Sequence, residues 1–398
     1  MNKLWQIKDQ DSDDFIENFT IGDDFILDKQ ILPFDIIASK AHVSMLKKIN
    51  ILNEKEYTIL QKGLDKILEL FQVGKFHISR HDEDCHTAIE NYLVKNYGQV
   101  GKKIHTGRSR NDQILTAIRL FLKQANQEII KEILDNKKIF QKAAKKFKNL
   151  EMPGYTHMQR AMPTTVSVWL ESFSDTINDI EPFFLNLKNI FDQSPLGSAA
   201  GFGINNFKND REFSAKKMGF SKVQKNPIYC GFSRGFFELL LLQNCEYLTH
   251  IFSRFAVDLL LFSTKEFDFL KLPEIFTTGS SIMPQKRNPD VIEILIGKIS
   301  VFGGKVMEIK NLISKLSTGY HREFQLIKKP LFQGIKEIKE ILKMVKLLTQ
   351  NLAFKKENLK KAMTDDLFLT EKIYQKVANG ETFRDAYHAV KKEFFINQ

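Results

Sequence analysis

Cysteine, proline and glycine are all scarce in this chain, and each scarcity excludes something. Its 398 residues hold three cysteines, Cys85, Cys230 and Cys245, which form no CxxC pair and no even framework. A disulfide scaffold is therefore excluded, and a reducing compartment is expected. Only ten prolines and 20 glycines punctuate the chain, and they are clustered, so long segments are free to be helices. No apolar run reaches the roughly 18 to 20 residues of a membrane span. Residues 236–242 carry Glu238, and residues 251–262 carry Arg254 and Asp258. The first twenty residues include Asp9, Asp11, Asp13, Asp14 and Glu17, which is not the basic, apolar, small-residue order of a secretory signal. A cytoplasmic protein without a membrane partner is expected.

What is present is an ordinary globular composition, with 43% hydrophobic and 27% charged residues. The net charge of +11 has no dense basic tract behind it, because the lysines are scattered among Asp and Glu along helical stretches. Nucleic acid is not an expected partner. The sign suits a polyanionic small substrate as well as a lysine-rich solvated surface.

Between Gly107 and Pro153 there is neither glycine nor proline, and Ile114, Ile118, Phe121, Ala125, Ile129, Ile133, Phe140, Ala144 and Phe147 fall mostly three, four or seven apart. That spacing predicts one long helix, or two with a small break. Residues 164–181 repeat the pattern, and residues 236–272 are apolar around most of the circumference, which requires burial in a large monomer or between subunits. A further helix begins near Asp290 and passes Gly303 and Gly304 to about residue 316. No alternating β-branched run with hairpin turns is visible, so the fold class is all-α. Residues 1–105 read as a helical and loop region, 106–352 as a central long-helix bundle, and 353–398 as a short helical end.

Four polar segments interrupt the helices. In Thr278-Gly279-Ser280-Ser281-Ile282-Met283-Pro284-Gln285-Lys286-Arg287-Asn288-Pro289-Asp290, two hydroxyls lie on a flexible loop, and a cation and an amide precede a helix start. Such a terminus favours a bound carboxylate. In His105-Thr106-Gly107-Arg108-Ser109-Arg110-Asn111-Asp112-Gln113, two guanidiniums can grip carboxylates, while Ser109 or Asn111 can also serve as a helix cap. Pro153 to Pro163 encloses Tyr155-Thr156-His157. His81-Asp82-Glu83-Asp84-Cys85-His86 has metal-ligand chemistry without tetrahedral spacing or a second cluster, so no metal is expected.

The first of these strings resembles the signature loop of the fumarase/aspartase superfamily, and its Gln-Lys-Arg-Asn form looks like the argininosuccinate lyase branch. The Arg108–Gln113 string, Gly154-Tyr155-Thr156-His157, Asp35-Ile36-Ile37-Ala38-Ser39-Lys40, Ser194-Pro195-Leu196-Gly197 and Phe383-Arg384-Asp385-Ala386 are similar to motifs of the same branch. The resemblance spans nearly the whole chain. It departs at Trp5-Gln6-Ile7-Lys8, where the family has Trp-Gly-Gly-Arg, and at Arg234-Gly235-Phe236, where it has Arg-Asp-Phe.

The resemblance implies a three-domain, all-α fumarase-like fold whose long helices form the core of a homotetramer, with active sites shared between subunits and no cofactor. It implies β-elimination of fumarate from argininosuccinate. Ser280 would be the base, Lys286 and Asn288 the holders of the reacting carboxylate, and His157, oriented by Glu293, the acid or an aid to it. Ser39, His86, Ser109, Arg110, Asn111, Thr156, Tyr320, Gln325 and Lys328 would bind substrate. Another superfamily lyase, such as adenylosuccinate lyase, and a non-catalytic structural oligomer of the same fold are the alternatives.

Overall fold

A computed structural model describes residues 14–396. The departure at Trp5 to Lys8 lies outside them. The described helices that matter here are α1 (Leu32–Lys48), α2 (Cys85–Tyr97), α3 (Arg110–Lys146), α4 (Val166–Phe191), α5 (Phe236–Ser263), α6 (Asp290–Ile313), α7 (Lys328–Gln350), α8 (Leu369–Ala378) and α9 (Phe383–Ile396). The chain forms two compact units. Among the described residues, unit 1 takes those within 1–128, 183–244 and 304–336, and unit 2 those within 129–182, 245–303 and 337–398.

Helix α3 runs 37 residues without a break. Ile114, Ile118, Ala125, Ile129, Ile133, Phe140 and Ala144 are all buried and Phe121 half-buried, so the spacing seen in the sequence follows the buried face of the helix. Helix α4 continues through Pro182 to Phe191, beyond the end expected at Glu181. Leu170, Phe173, Ile177, Phe184, Leu187 and Phe191 keep the helical spacing across the proline, and their burial outweighs the one backbone hydrogen bond that proline removes. Helix α5 stops at Ser263, short of the expected residue 272. Within unit 2, Phe255 of α5 packs against Phe140, Trp169 and Phe173 with ring centroids 5.1, 5.7 and 5.3 Å away. The Trp169 indole donates to Asp258 at 2.8 Å, which satisfies both polar groups at the edge of this aromatic core.

The helical class holds, interrupted by short strand pairs that the sequence reading did not include. Strands β1 (Glu151–Thr156) and β2 (Gln159–Thr165) form an antiparallel hairpin, and a two-residue ladder joins β3 (Thr278–Gly279) to β4 (Arg287–Asn288).

Gly235, where the sequence departs from the family, has φ +79°, a left-handed conformation that glycine adopts without strain. A Cβ there would lie 2.4 Å from Ile313 Cγ2 and 2.8 Å from Ile327 Cδ1. Gly235→Ala is therefore expected to lose about 2–4 kcal/mol from strain and overpacking together. An unchanged urea-unfolding midpoint in the variant would refute this.

Candidate active-site residues

In unit 1 a cavity of about 40 Å³ lies among the ends of several elements. His86, Arg110, Tyr320, Gln325 and Lys328, five residues anticipated from separate stretches of sequence, line it together. Its size suits a carboxylate or a few waters and not a whole amino acid.

Each lining group is positioned by its own element. His86 is in the first turn of α2, whose N-cap Asp84 accepts from the Thr87 N–H at 2.8 Å. Its Nδ1 is 2.7 Å from Asp35 Oδ2, and its Nε2 is buried with no partner among the described residues. Burial pulls the imidazole pKa down, but the Asp35, Asp84 and Asp28 carboxylates more than offset this and leave it raised. Arg110, at the start of α3, donates to Thr87 Oγ1 at 2.7 Å and lies 3.5 Å from Asp84. Lys328 is 3% exposed, and its Nζ lies 2.6 Å from Asp28 and 3.1 Å from Asp24. Gln325 spends its Nε2 on the carbonyls of Thr20 and Ile21, leaving a buried Oε1 without a partner among the described residues.

Asp24, Arg234 and Arg322, which no site reading of the sequence included, line the same cavity, as does Asp84 of the His81–His86 string. Burial pushes the Asp24 carboxyl up to about 6 against the opposing pull of Lys328. Arg234 is buried between the Tyr320 and Phe324 rings, at 5.4 and 5.5 Å, and its Nε and Nη1 have no partner among the described residues. In the sequence it is marked only as the neighbour of Gly235.

Four expected ligands are placed elsewhere, three of them in unit 1 and Thr156 in unit 2. Ser39 is fully buried, and its hydroxyl is taken up by Asp35 and Arg108, so it does not line the cavity. Ser109 accepts from the Asn111 N–H at 3.2 Å, which is the helix-capping alternative. Neither Ser109 nor Asn111 lines the cavity. Of the two guanidiniums in that string, Arg108 points inward to Ser39 and the Ile104 carbonyl, leaving Arg110 to the cavity. Asp28, Cys85 and His86 offer donor atoms within 4.8 Å of one another. Lys328 is paired with Asp28, Asp35 faces the His86 Nδ1, and burial pushes the Cys85 thiol well up, all of which work against a metal there.

In unit 2, His157 and Met158 form the two-residue turn between β1 and β2. Their φ values of 53° and 60° are those of a type I′ hairpin, a conformation that usually selects Asn-Gly. The strain of holding histidine there is of order 1–2 kcal/mol. The turn leaves Thr156 and His157 exposed at the hairpin tip. Nearer the base, Arg160 donates to the Ala362 carbonyl at 3.3 Å and to Thr364 at 3.2 Å.

Ser280 opens the loop between β3 and β4. Its Oγ accepts from the N–H groups of Met283 at 3.1 Å and Ile282 at 3.4 Å, donors that would stabilise a serine alkoxide. Thr278 hydrogen-bonds Asp290, tying the ladder to the first residue of α6. The loop itself is exposed, with Ile282 at 84%. The expected brace from Glu293 to His157 is not made within the chain. Neither side chain has a hydrogen bond among the described residues, because one stands at an exposed turn and the other on the exposed face of α6.

A family profile described as lyase matches residues 7–304. A protein of Thermotoga neapolitana named argininosuccinate lyase is 41% identical over 392 residues, covering 98% of each chain. One of Sorangium cellulosum with the same name is 38% identical over 391 residues, covering 98% of this chain and 90% of its own. The chain belongs to the argininosuccinate lyase family. Solved structures share the fold of this family member at low identity. The fumarate lyase:delta crystallin from Brucella melitensis bound to cobalt has a TM-score of 0.81 at 18% identity, over 96% of this chain and 88% of that one. EDDS lyase in complex with formate has a TM-score of 0.79 at 22% identity, over 94% and 74%. No described helix of the chain is long and apolar enough to cross a membrane.

Proposed function

We propose that this chain cleaves argininosuccinate to arginine and fumarate by β-elimination, in arginine biosynthesis and in the cytoplasm. The observation that carries the reading is the unit 1 cavity, where His86, Arg110 and Lys328 converge with Arg234 and Arg322. A pocket so rich in cations, with Asp24 and Asp84 among them, matches a substrate that carries several carboxylates and a few cationic groups.

The chemistry follows from the residues. Ser280 Oγ removes a carbon-bound proton beside one succinyl carboxylate, and the electron pair spreads into that carboxylate as an enediolate. Lys286 and Asn288 hold its oxygens, a preorganised positive environment for charge that develops only in the transition state. The C–N bond then breaks with its electron pair going to nitrogen, which takes a proton from His157. Arginine and fumarate remain. Thr156 holds the succinyl part, and Tyr320, Gln325 and Lys328 the far end.

His86 and Lys328 belong to one unit, and Ser280, Lys286 and His157 to the other. We assign their meeting to different subunits of a homotetramer, with Glu293 bracing His157 across the same contacts. Ile294 and Val301 on α6 are 62% and 61% exposed, and an apolar groove of about 560 Å³ runs beside Ile294, Leu295, Ile341, Met344 and Leu347. These surfaces favour burial against further copies. The three-part division at residues 105 and 352 belongs to the same proposal.

Purified protein should raise fumarate absorbance when given argininosuccinate and leave adenylosuccinate untouched. Fumarate from adenylosuccinate alone would transfer the chain to another branch of the superfamily, and none from either would leave a structural oligomer.

A further inference from the structure

His86 is held from behind by a chain of buried side chains. Arg108 Nη1 donates to Ser39 Oγ at 2.9 Å, Ser39 Oγ donates to Asp35 Oδ1 at 3.2 Å, and Asp35 Oδ2 faces His86 Nδ1 at 2.7 Å. Asp35 and Ser39 are one turn apart on α1, and all four side chains are buried. The chain has a direction. A guanidinium can only donate, so the Ser39 hydrogen is free for Asp35. An ionised Asp35 can only accept, and its carboxylate is held below the ordinary range: burial opposes this, but His86, Arg108 and Ser39 prevail. His86 Nδ1 must therefore carry a proton, and Nε2, the other ring nitrogen of a residue that lines the cavity, has no partner among the described residues.

We propose that Asp35, braced by Ser39 and Arg108, is a positioning residue that locks the His86 ring with Nδ1–H inward and a cationic Nε2–H directed into the cavity to receive a substrate carboxylate. The substrate half rests on the function proposed above. The positioning half does not. It also gives Ser39 a different role from the ligand role implied by family resemblance, since its hydroxyl reaches the cavity only through Asp35 and His86.

The charged groups around the ring are Asp35 on α1, Asp84 ahead of α2, Asp24 and Asp28 ahead of α1, Arg110 on α3, Lys328 on α7, and Arg234 and Arg322 across the cavity. Asp35 is the one charged group in direct contact, and the Cys85 thiol, its pKa pushed well up by burial, lies 3.8 Å from the same Nδ1. Loss of Asp35 should therefore move the titration of the ring more than the loss of any brace.

Full-length protein labelled with ¹³C-histidine tests this, with the His86 resonance assigned by its disappearance in His86→Gln. In the native chain it should titrate above its ordinary 6.5. Asp35→Asn should lower that midpoint by more than about one pH unit, a tenfold change in proton affinity. Ser39→Ala should lower it less and in the same direction, and it carries the test if Asp35→Asn does not fold. With argininosuccinate, Asp35→Asn should raise KM more than about tenfold at neutral pH, with kcat less affected, and recover as pH falls. An unmoved His86 titration in folded Asp35→Asn overturns the proposal, even if fumarate is released. A shifted titration in a protein that releases no fumarate supports the positioning role and removes the lyase reading instead.

Discussion

Ser280→Ala is expected to lower kcat for argininosuccinate cleavage by about a hundred- to ten-thousand-fold, the range typical of losing a positioned base. The fold should barely respond. Ser280 contributes only the acceptor for two N–H groups of its own loop, and the loop is anchored independently by the β3–β4 ladder and by Thr278 on Asp290. Ser281→Ala is the control. It removes a hydroxyl from the adjacent exposed position, where no described hydrogen bond is made, and should cost little. Steady-state kinetics with thermal unfolding separates the cases, and a Ser280→Ala enzyme of native kcat would remove this residue as the base.

Lys328→Met should damage stability and binding together. The ammonium is buried against Asp28 and Asp24, and although burial works against its charge, the two carboxylates push its pKa up. Methionine fills the space of the stem and leaves the two acids without their cation. Breaking a buried pair from one side costs about 3–5 kcal/mol, because an uncompensated charge remains. Adding Asp24→Asn to Lys328→Met should return part of that loss, a coupling that a double-mutant cycle of urea unfolding reads directly. Strict additivity of the two changes would contradict the pairing.

The two residues illustrate what sequence made legible. The Ser280 loop was readable because its chemistry is contiguous: hydroxyls, ammonium, amide and helix start occupy thirteen neighbouring positions. Helix α3 was readable because no breaker interrupts its period. The hairpin at residues 151–165 was not. Its strands contain Pro153, Gly154 and Pro163, and its turn is His157-Met158 where a hairpin signal would be Asn-Gly. Nor was the continuation of α4 past Pro182, since a local rule about proline competes there with long-range burial. Asp24 and Arg234 were hidden for a third reason. Asp24 meets Lys328 only because distant segments fold onto each other, and nothing in its neighbourhood marks it. Ser39 was found by its string but misplaced in role, because a motif gives position and not the direction of a hydroxyl.

One catalytic site that draws on the His86 cavity of one subunit and the Ser280 loop of another is tested most directly by mixing two impaired variants. His86→Gln and Ser280→Ala, each nearly inactive alone, should regain activity when unfolded and reassembled together. Random assortment gives a native cavity and a native loop to about one site in four, so about a quarter of native activity is expected. Mixed oligomers confirmed by mass spectrometry that remain as inactive as either parent would contradict the shared site.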